Sequence, residues 1–294
     1  MTEMSVQLAE CHGHIMMDGT EYAAARRVHE NGPHRPAVET SLAALREAGV
    51  VYFRDGGDPL GVSLLARSLA PEYGIEYVTP GFAIHKQGFY GGIVGRGYRD
   101  MNEFRTLVKE LGDDRGDFVK VMFSGIITFR EYGRLSCPEL SAPEIREIIA
   151  VAHGEGYPVM AHVNGAAAIR AAAEAGLDSV EHGYFGDDET LAAMAENGTV
   201  WVPTLAAVDA FADRPEMDAA VVHRTVEAQM ERLARFAAMG GIIAAGSDSG
   251  AVGVPHGPGT RREYELLAKA GVTPEAIEKG NAAIRTKFCP RKDR

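Results

Sequence analysis

Apolar residues gather in short runs along this chain, at Val6–Cys11, Val50–Arg54, Glu76–Ala83, Phe118–Phe123, Val159–His162, Ser179–His182, Val200–Leu205 and Gly241–Ala245. Short, largely unbroken apolar runs predict parallel strands buried on both faces. Between them, apolar positions recur at helical spacing over Pro36–Ala48, Gly61–Leu69, Met101–Leu111, Ala142–Gly154, Ala166–Ala175, Asp188–Asn197, Met217–Ala238 and Arg261–Ala270. Each such stretch predicts a helix with one buried face. Ser141 followed by Glu144 predicts a capping box, with Pro143 in the first turn. Thr273-Pro274-Glu275 opens a final short helix in the same way, and Gly154, Gly176 and Gly271 fall where helices need left-handed ends.

Eight strand–helix units with short connections predict an α/β fold, a closed (β/α)8 TIM barrel occupying residues 1–294 as one domain. A doubly wound sheet would want its glycine-rich turn after the first strand, whereas Gly91, Gly92, Gly95 and Gly97 follow the third. Three connections are long: Ile15–His34, Ile84–Asp100 and Ser124–Leu140. Each follows a strand, on the side where a barrel builds its mouth.

Composition narrows the picture. A net charge of −11 argues against nucleic acid or an anionic membrane as partner. Three scattered cysteines, Cys11, Cys137 and Cys289, make neither a disulfide framework nor a four-thiolate zinc site. The opening residues MTEMSVQLAE lack the basic and apolar regions of a signal peptide, and no window is long and apolar enough to span a membrane. The expectation is a soluble cytoplasmic protein, with a homo-oligomer left open.

Candidate chemistry lies at the strand ends. His12 and His14 stand two apart, so both side chains share one face. His162 and His182 close two further apolar runs, and Asp248 follows the last one. Any one of these reads more readily as a hydrogen-bonded structural residue. Together they fall at equivalent heights in a barrel, where imidazoles and a carboxylate can share metal ions. Lys120 sits inside Phe118-Val119-Lys120-Val121-Met122-Phe123, where an unpaired ammonium is costly. Either it pairs with a carboxylate or reaches the rim, or carbon dioxide carboxylates its amine to an anionic carbamate.

In the order His-x-His, Lys, His, His, Asp on strands one, four, five, six and eight, the chain resembles the amidohydrolase superfamily, in its binuclear branch with a carboxylated lysine. Phrases such as Arg54-Asp55, Ala161-His162, Glu181-His182-Gly183, Val202-Pro203-Thr204-Leu205 and Gly246-Ser247-Asp248 look most like imidazolonepropionase-like and Xaa-Pro or Xaa-Arg dipeptidase members. The resemblance implies two divalent cations, zinc by default. One would be held by His12, His14 and Asp248 and the other by His162 and His182, with carboxylated Lys120 bridging. It further implies a metal-bridging hydroxide as nucleophile and Asp248 as the catalytic proton carrier. Glu10 replaces the aspartate common before the His-x-His pair, and Cys11 reads as a packing residue. Relatives usually add a small β-sandwich, which this chain is expected to lack.

The leading expectation is hydrolysis of a C–N amide bond in a dipeptide, N-acyl amino acid or cyclic amide. Lactone or phosphoester hydrolysis is the alternative. Less favoured are a non-hydrolytic decarboxylation or isomerisation and a metal-stabilised scaffold. Substrate contacts are expected from His85, Tyr90, Arg96, Asn164, Tyr184 and His256, with Lys86, Arg99, Tyr132 and Arg134 as further loop candidates. A basic member of this group would receive a substrate carboxylate.

Overall fold

The computed structural model describes residues 7–290. Val6 and the first residues of the N-terminal reading lie outside it. Among the described residues ten strands are interspersed with helices: β1 (Leu8–Gly13), β2 (Val50–Asp55), β3 (Glu76–Val78), β4 (Ala83–Lys86), β5 (Gly95–Tyr98), β6 (Val119–Met122), β7 (Val159–Val163), β8 (Ser179–His182), β9 (Val200–Val202) and β10 (Ile242–Ile243). All ladders are parallel, in the orders β1-β2-β3 and β10-β9-β8-β7-β6-β4-β5.

Hydrogen bonds between the two sheets close the barrel. On one side, the Cys11 amide donates to Ala245 O at 2.8 Å, the His14 amide donates to Ser249 O at 2.7 Å, and Gly13 bridges Ser249. On the other, the Asp117 amide donates to Thr79 O at 2.8 Å, and the Thr79 amide returns a bond to the Asp117 carboxylate. Among the described residues every strand belongs to these two sheets.

Most predicted elements stand within a residue or two of their sequence limits. The third strand is an exception. Pro80 and Gly81 break the run Glu76–Ala83, so β3 pairs with β2 while β4 resumes beside β6. The long connection after it carries an extra strand, β5, paired with β4. The ninth strand stops at Val202, and Leu205 opens a short helix, Leu205–Asp209. Another unpredicted helix, Tyr22–Val28, folds within the first long loop. The final helix runs over Pro274–Lys287 and is not short; Thr273 caps it as expected, accepting from the Ala276 amide.

The capping box at Ser141 does not form. Glu144 turns instead to Lys86 Nζ (3.0 Å) and the Tyr98 hydroxyl (3.1 Å), because a cation and a donor on the neighbouring strands outcompete a backbone amide. Gly176 and Gly271 are left-handed as expected, but at the end of Ala142–Gly154 that role passes to Gly156.

Candidate metal centre

The strand ends bring six predicted residues together. His12, His14, Lys120, His162, His182 and Asp248 all line one cavity of about 1040 Å³ including its open mouth. His12 lies at the irregular end of β1, whose register with β2 shifts between Glu10 and Gly13. Lys120 is central in β6, directly across from Met160 of β7, and His162 faces Met122 across the same ladder. His182 ends β8 with φ 68°, and Asp248 lies beyond β10 with φ 60°. Thr204, next to them after β9, has φ 50°. Left-handed backbone at three non-glycine residues costs about 1–3 kcal/mol each, a strain that gathers at functional sites. Gly246 permits a close approach: a Cβ there would lie 2.5 Å from Val202 Cγ1 and 2.7 Å from the His12 nitrogen.

Three of the four imidazoles have one nitrogen engaged and the other left for a ligand. The Glu181 carboxylate can only accept, so His12 Nδ1 carries the proton in their 2.7 Å bond and Nε2 keeps its lone pair. The Gly125 carbonyl likewise holds the proton on His162 Nε2, at 3.1 Å. His182 Nδ1 meets Thr204 Oγ1 at 2.7 Å. Asp248 Oδ1 stands 3.6 Å from His12 Nε2 and 3.5 Å from His14 Nε2, and it has no hydrogen bond. Ring centroids are 5.0 Å apart for His12 and His182, and 4.5 Å apart for His162 and His182. One ligand atom from each of His12, His182 and Asp248 can converge within 4.8 Å of the others.

Burial keeps the imidazoles neutral, as ligands must be. Desolvation, reinforced by the Lys120 charge, brings His14 and His162 down to about 3 and pulls His12 well below the ordinary histidine range. His182 is lowered by burial first and by its histidine neighbours next. The same desolvation lowers Lys120, against the opposing pull of Glu181 and Asp248, and raises Asp248.

Lys120 meets neither ordinary expectation. It is 0% exposed, so it does not reach the rim, and its Nζ has no hydrogen-bond partner. An orphaned buried amine beside an orphaned carboxylate oxygen and orphaned His14 Nδ1 is a donor set that divalent cations fit.

Of the expected substrate contacts, Tyr90, Asn164 and Tyr184 do line the cavity. Tyr90 lies over His162 with ring centroids 5.0 Å apart. Asn164 accepts from the Tyr184 amide at 3.0 Å and donates to Gly125 O. His85, Arg96 and His256 do not line it. The pairing of β4 with β5 sets His85 opposite Gly97, its Nδ1 against Lys86 O. Arg96 stacks over the Phe82 ring at 3.8 Å and pairs with Glu110 and Asp114 on the helix behind. His256 is locked in the wall between Ser249 Oγ (2.6 Å) and Met17 O (2.7 Å). The other loop candidates are also engaged elsewhere: Lys86 with Glu144, Arg99 with Glu103, Arg134 near Glu131, and the Tyr132 hydroxyl with Arg232. No basic loop residue named for a substrate carboxylate reaches the cavity.

Sequence reading missed the support beneath the ligands. Glu181 and Arg54 are both fully buried and joined at 2.8 Å, and Arg54 also donates to Cys11 O and Ser179 Oγ. Burial pushes Glu10 up to about 7, against the hydrogen bonds it accepts from the hydroxyls of Ser247 and Thr260, each at 2.6 Å, and from the His12 and Ser247 amides. Charged residues inside apolar strands were the available signal: Glu10, Arg54 and Glu181 carry it as plainly as Lys120 does.

The sequence profile of the amidohydrolase family matches residues 34–293, and the chain belongs to that family. Ochratoxinase of Aspergillus niger is 31% identical over 254 residues, which cover 84% of this chain and 49% of that protein. An uncharacterized protein of Mycobacterium tuberculosis is 35% identical over 152 residues, covering 49% of this chain and 40% of the other. The chain therefore spans half or less of the length of these curated relatives. A solved Xaa-Pro dipeptidase with methionine in its active site superposes with a TM-score of 0.76 at 22% identity, over 96% of this chain and 75% of that one. This last likeness concerns the fold. Among the described residues no helix is long and apolar enough to cross a membrane.

Proposed function

We propose that this chain is a metal-dependent hydrolase that cleaves a C–N amide bond in a small molecule. Membership of the amidohydrolase family supports the reaction class. The observation that carries the proposal is Lys120, a fully buried amine without a partner, set among four neutral imidazoles and Asp248. In this reading His12, His14, His162, His182 and Asp248 hold two divalent cations, zinc by default, and carboxylated Lys120 joins them. The free state of Cys11, Cys137 and Cys289 accords with a cytoplasmic setting.

Bound cations would supply Lewis acidity and water of lowered pKa. The protein's own groups do the rest. Burial favours the neutral amine of Lys120, the form that can add to carbon dioxide. Glu181, Gly125 O and Thr204 hold three imidazole rings in fixed orientation, so no reorganisation is needed when ligands bind. Asp248, with Oδ1 free of hydrogen bonds, accepts the proton of the attacking water and returns it to the departing amine nitrogen. The apolar walls exclude bulk water from this exchange.

The test combines metal analysis, 13C NMR of protein equilibrated with 13C-labelled carbon dioxide, and a screen of amides against matched lactones. Two cations per chain, a carbamate resonance lost in Lys120→Ala, and amide cleavage are expected. Lactone turnover without amide turnover would move the activity to ester bonds; an unmodified Lys120 with one cation would remove the bridging role.

A further inference from the structure

The cavity has a polar floor and apolar walls. Above the metal ligands, one side is closed by Phe129 and Phe211, whose rings pair at 5.0 Å between centroids, with Val208 and Ile127 beside them. Ile126 also lines the cavity and stays 41% exposed, which places an apolar side chain at the rim. Most wall polar groups are spent on the protein itself: Asn164 bonds the Tyr184 amide and Gly125 O, and the Tyr184 hydroxyl bonds Thr204 O, which leaves the neutral Tyr90 hydroxyl as a donor on the lining. Among the described residues Lys120 is the one cation lining the cavity, and it belongs to the floor. Two arginines stand behind the lining. Arg26 donates to the Tyr22 hydroxyl at 2.9 Å from an exposed helix, and Arg214 lies over the Phe211 ring while pairing with Glu216.

A free carboxylate seated against these walls would lose its hydration and gain no cationic partner, whereas an aryl or branched alkyl group would bury apolar area against them. Aromatic edges and faces are already presented by the Phe129–Phe211 pair.

We infer, on the hydrolase reading proposed above, that the substrate is a neutral amide with an aryl or branched alkyl group flanking the scissile bond and no carboxylate beside it. Water adds across the C–N bond: the acyl carbon takes the hydroxyl and leaves as an acid, and the nitrogen takes the proton and leaves as an amine. The acid is formed at the polar floor, and the apolar flank never has to carry charge.

Benzanilide and its 4-carboxy analogue form a matched pair, with an Xaa-Pro dipeptide as a third probe. Binding is read by titrating the metal-free protein, and turnover is read on the zinc-loaded protein. Because the carboxylate must be desolvated without a counter-charge, benzanilide is expected to bind at least about tenfold more tightly than its carboxy analogue. Equal or tighter binding of the carboxylate overturns the inference, whatever the turnover. Tighter binding of benzanilide without C–N cleavage leaves the preference of the pocket for a neutral aryl ligand standing and counts against the hydrolase reading; preferential cleavage of the dipeptide supports the hydrolase reading and overturns the inference. Two rim variants sharpen the result. Ile126→Arg, at an exposed position, should raise affinity for the carboxy analogue, and Phe211→Ala should weaken benzanilide. Arg26→Ala should change neither ligand; a selective loss of the carboxy analogue in that variant would reveal a rim carboxylate site and overturn the proposal.

Discussion

Glu181→Gln is the most informative single substitution, because one carboxylate serves three buried partners. Its Oε2 accepts from His12 Nδ1 at 2.7 Å, and its Oε1 accepts from Arg54 Nη2 at 2.8 Å and from the Ser179 hydroxyl. Glutamine keeps the volume and removes the charge. Arg54, fully buried, is then left with neutral acceptors and the face of Phe288 at 4.3 Å, and loses the carboxylate that balances its charge. Breaking a buried ion pair by neutralising one partner costs about 3–5 kcal/mol. Separately, the loss of the acceptor that orients His12 should lower metal affinity by about 10–100-fold. The two effects can be parted. In Arg54→Met/Glu181→Gln the stranded guanidinium is gone, so most of the stability should return while the metal affinity stays low. Urea denaturation of the metal-free protein measures the first, and competition against a chromophoric chelator measures the second. A Glu181→Gln protein within about 1 kcal/mol of wild type, or a double variant with full metal affinity, would refute this account of the support beneath the site.

Other expectations follow from the same geometry. Lys120→Ala removes the buried amine and should bind at most one cation per chain, as read by inductively coupled plasma analysis after dialysis; two retained cations would exclude a bridging role. Burial brings His256 down to about 4 from 6.5, so its contribution to stability is complete above pH 6.5 and is lost as pH falls through 4. That slope is about 1.4 kcal/mol per pH unit within the window, roughly 2 kcal/mol by pH 5. Urea midpoints of wild type and His256→Asn should converge by that amount between pH 7 and pH 5, and parallel curves would contradict it. Gly246→Ala forces a methyl group against Val202 and the His12 nitrogen and should cost about 1–3 kcal/mol of overpacking, measurable as a lowered melting temperature. Thr204→Val takes the hydroxyl from His182 Nδ1 and should weaken metal binding, with little change in fold by circular dichroism.

The sequence by itself determined the barrel and its ring of candidate ligands. A buried parallel strand must be written as an apolar run, and a residue placed at the end of that run must project into the mouth. His162 and His182 were therefore legible from local sequence alone, and so was the oddity of Lys120 in β6. The same logic applied to Glu10, Arg54 and Glu181 would have exposed the network beneath the site. Which of these charges meet, however, depends on strands far apart in the chain. Arg54 and Glu181 lie 127 residues apart, and Glu10 and Thr260 lie 250 apart.

Only the tertiary structure decided which loop residues face the cavity. His85 and Arg96 looked suitable because a long loop follows the third strand, yet that segment pairs as β4 and β5 and spends both side chains on its own neighbours. His256 was drawn into the wall by Ser249 and Met17. The apolar lining came from residues such as Phe129, Val208 and Phe211, which carry no local mark of function. Loops have no period to read, and their side chains settle where distant surfaces offer partners. The candidate metal ligands were placed by strand geometry. The character of the walls around them was fixed by packing.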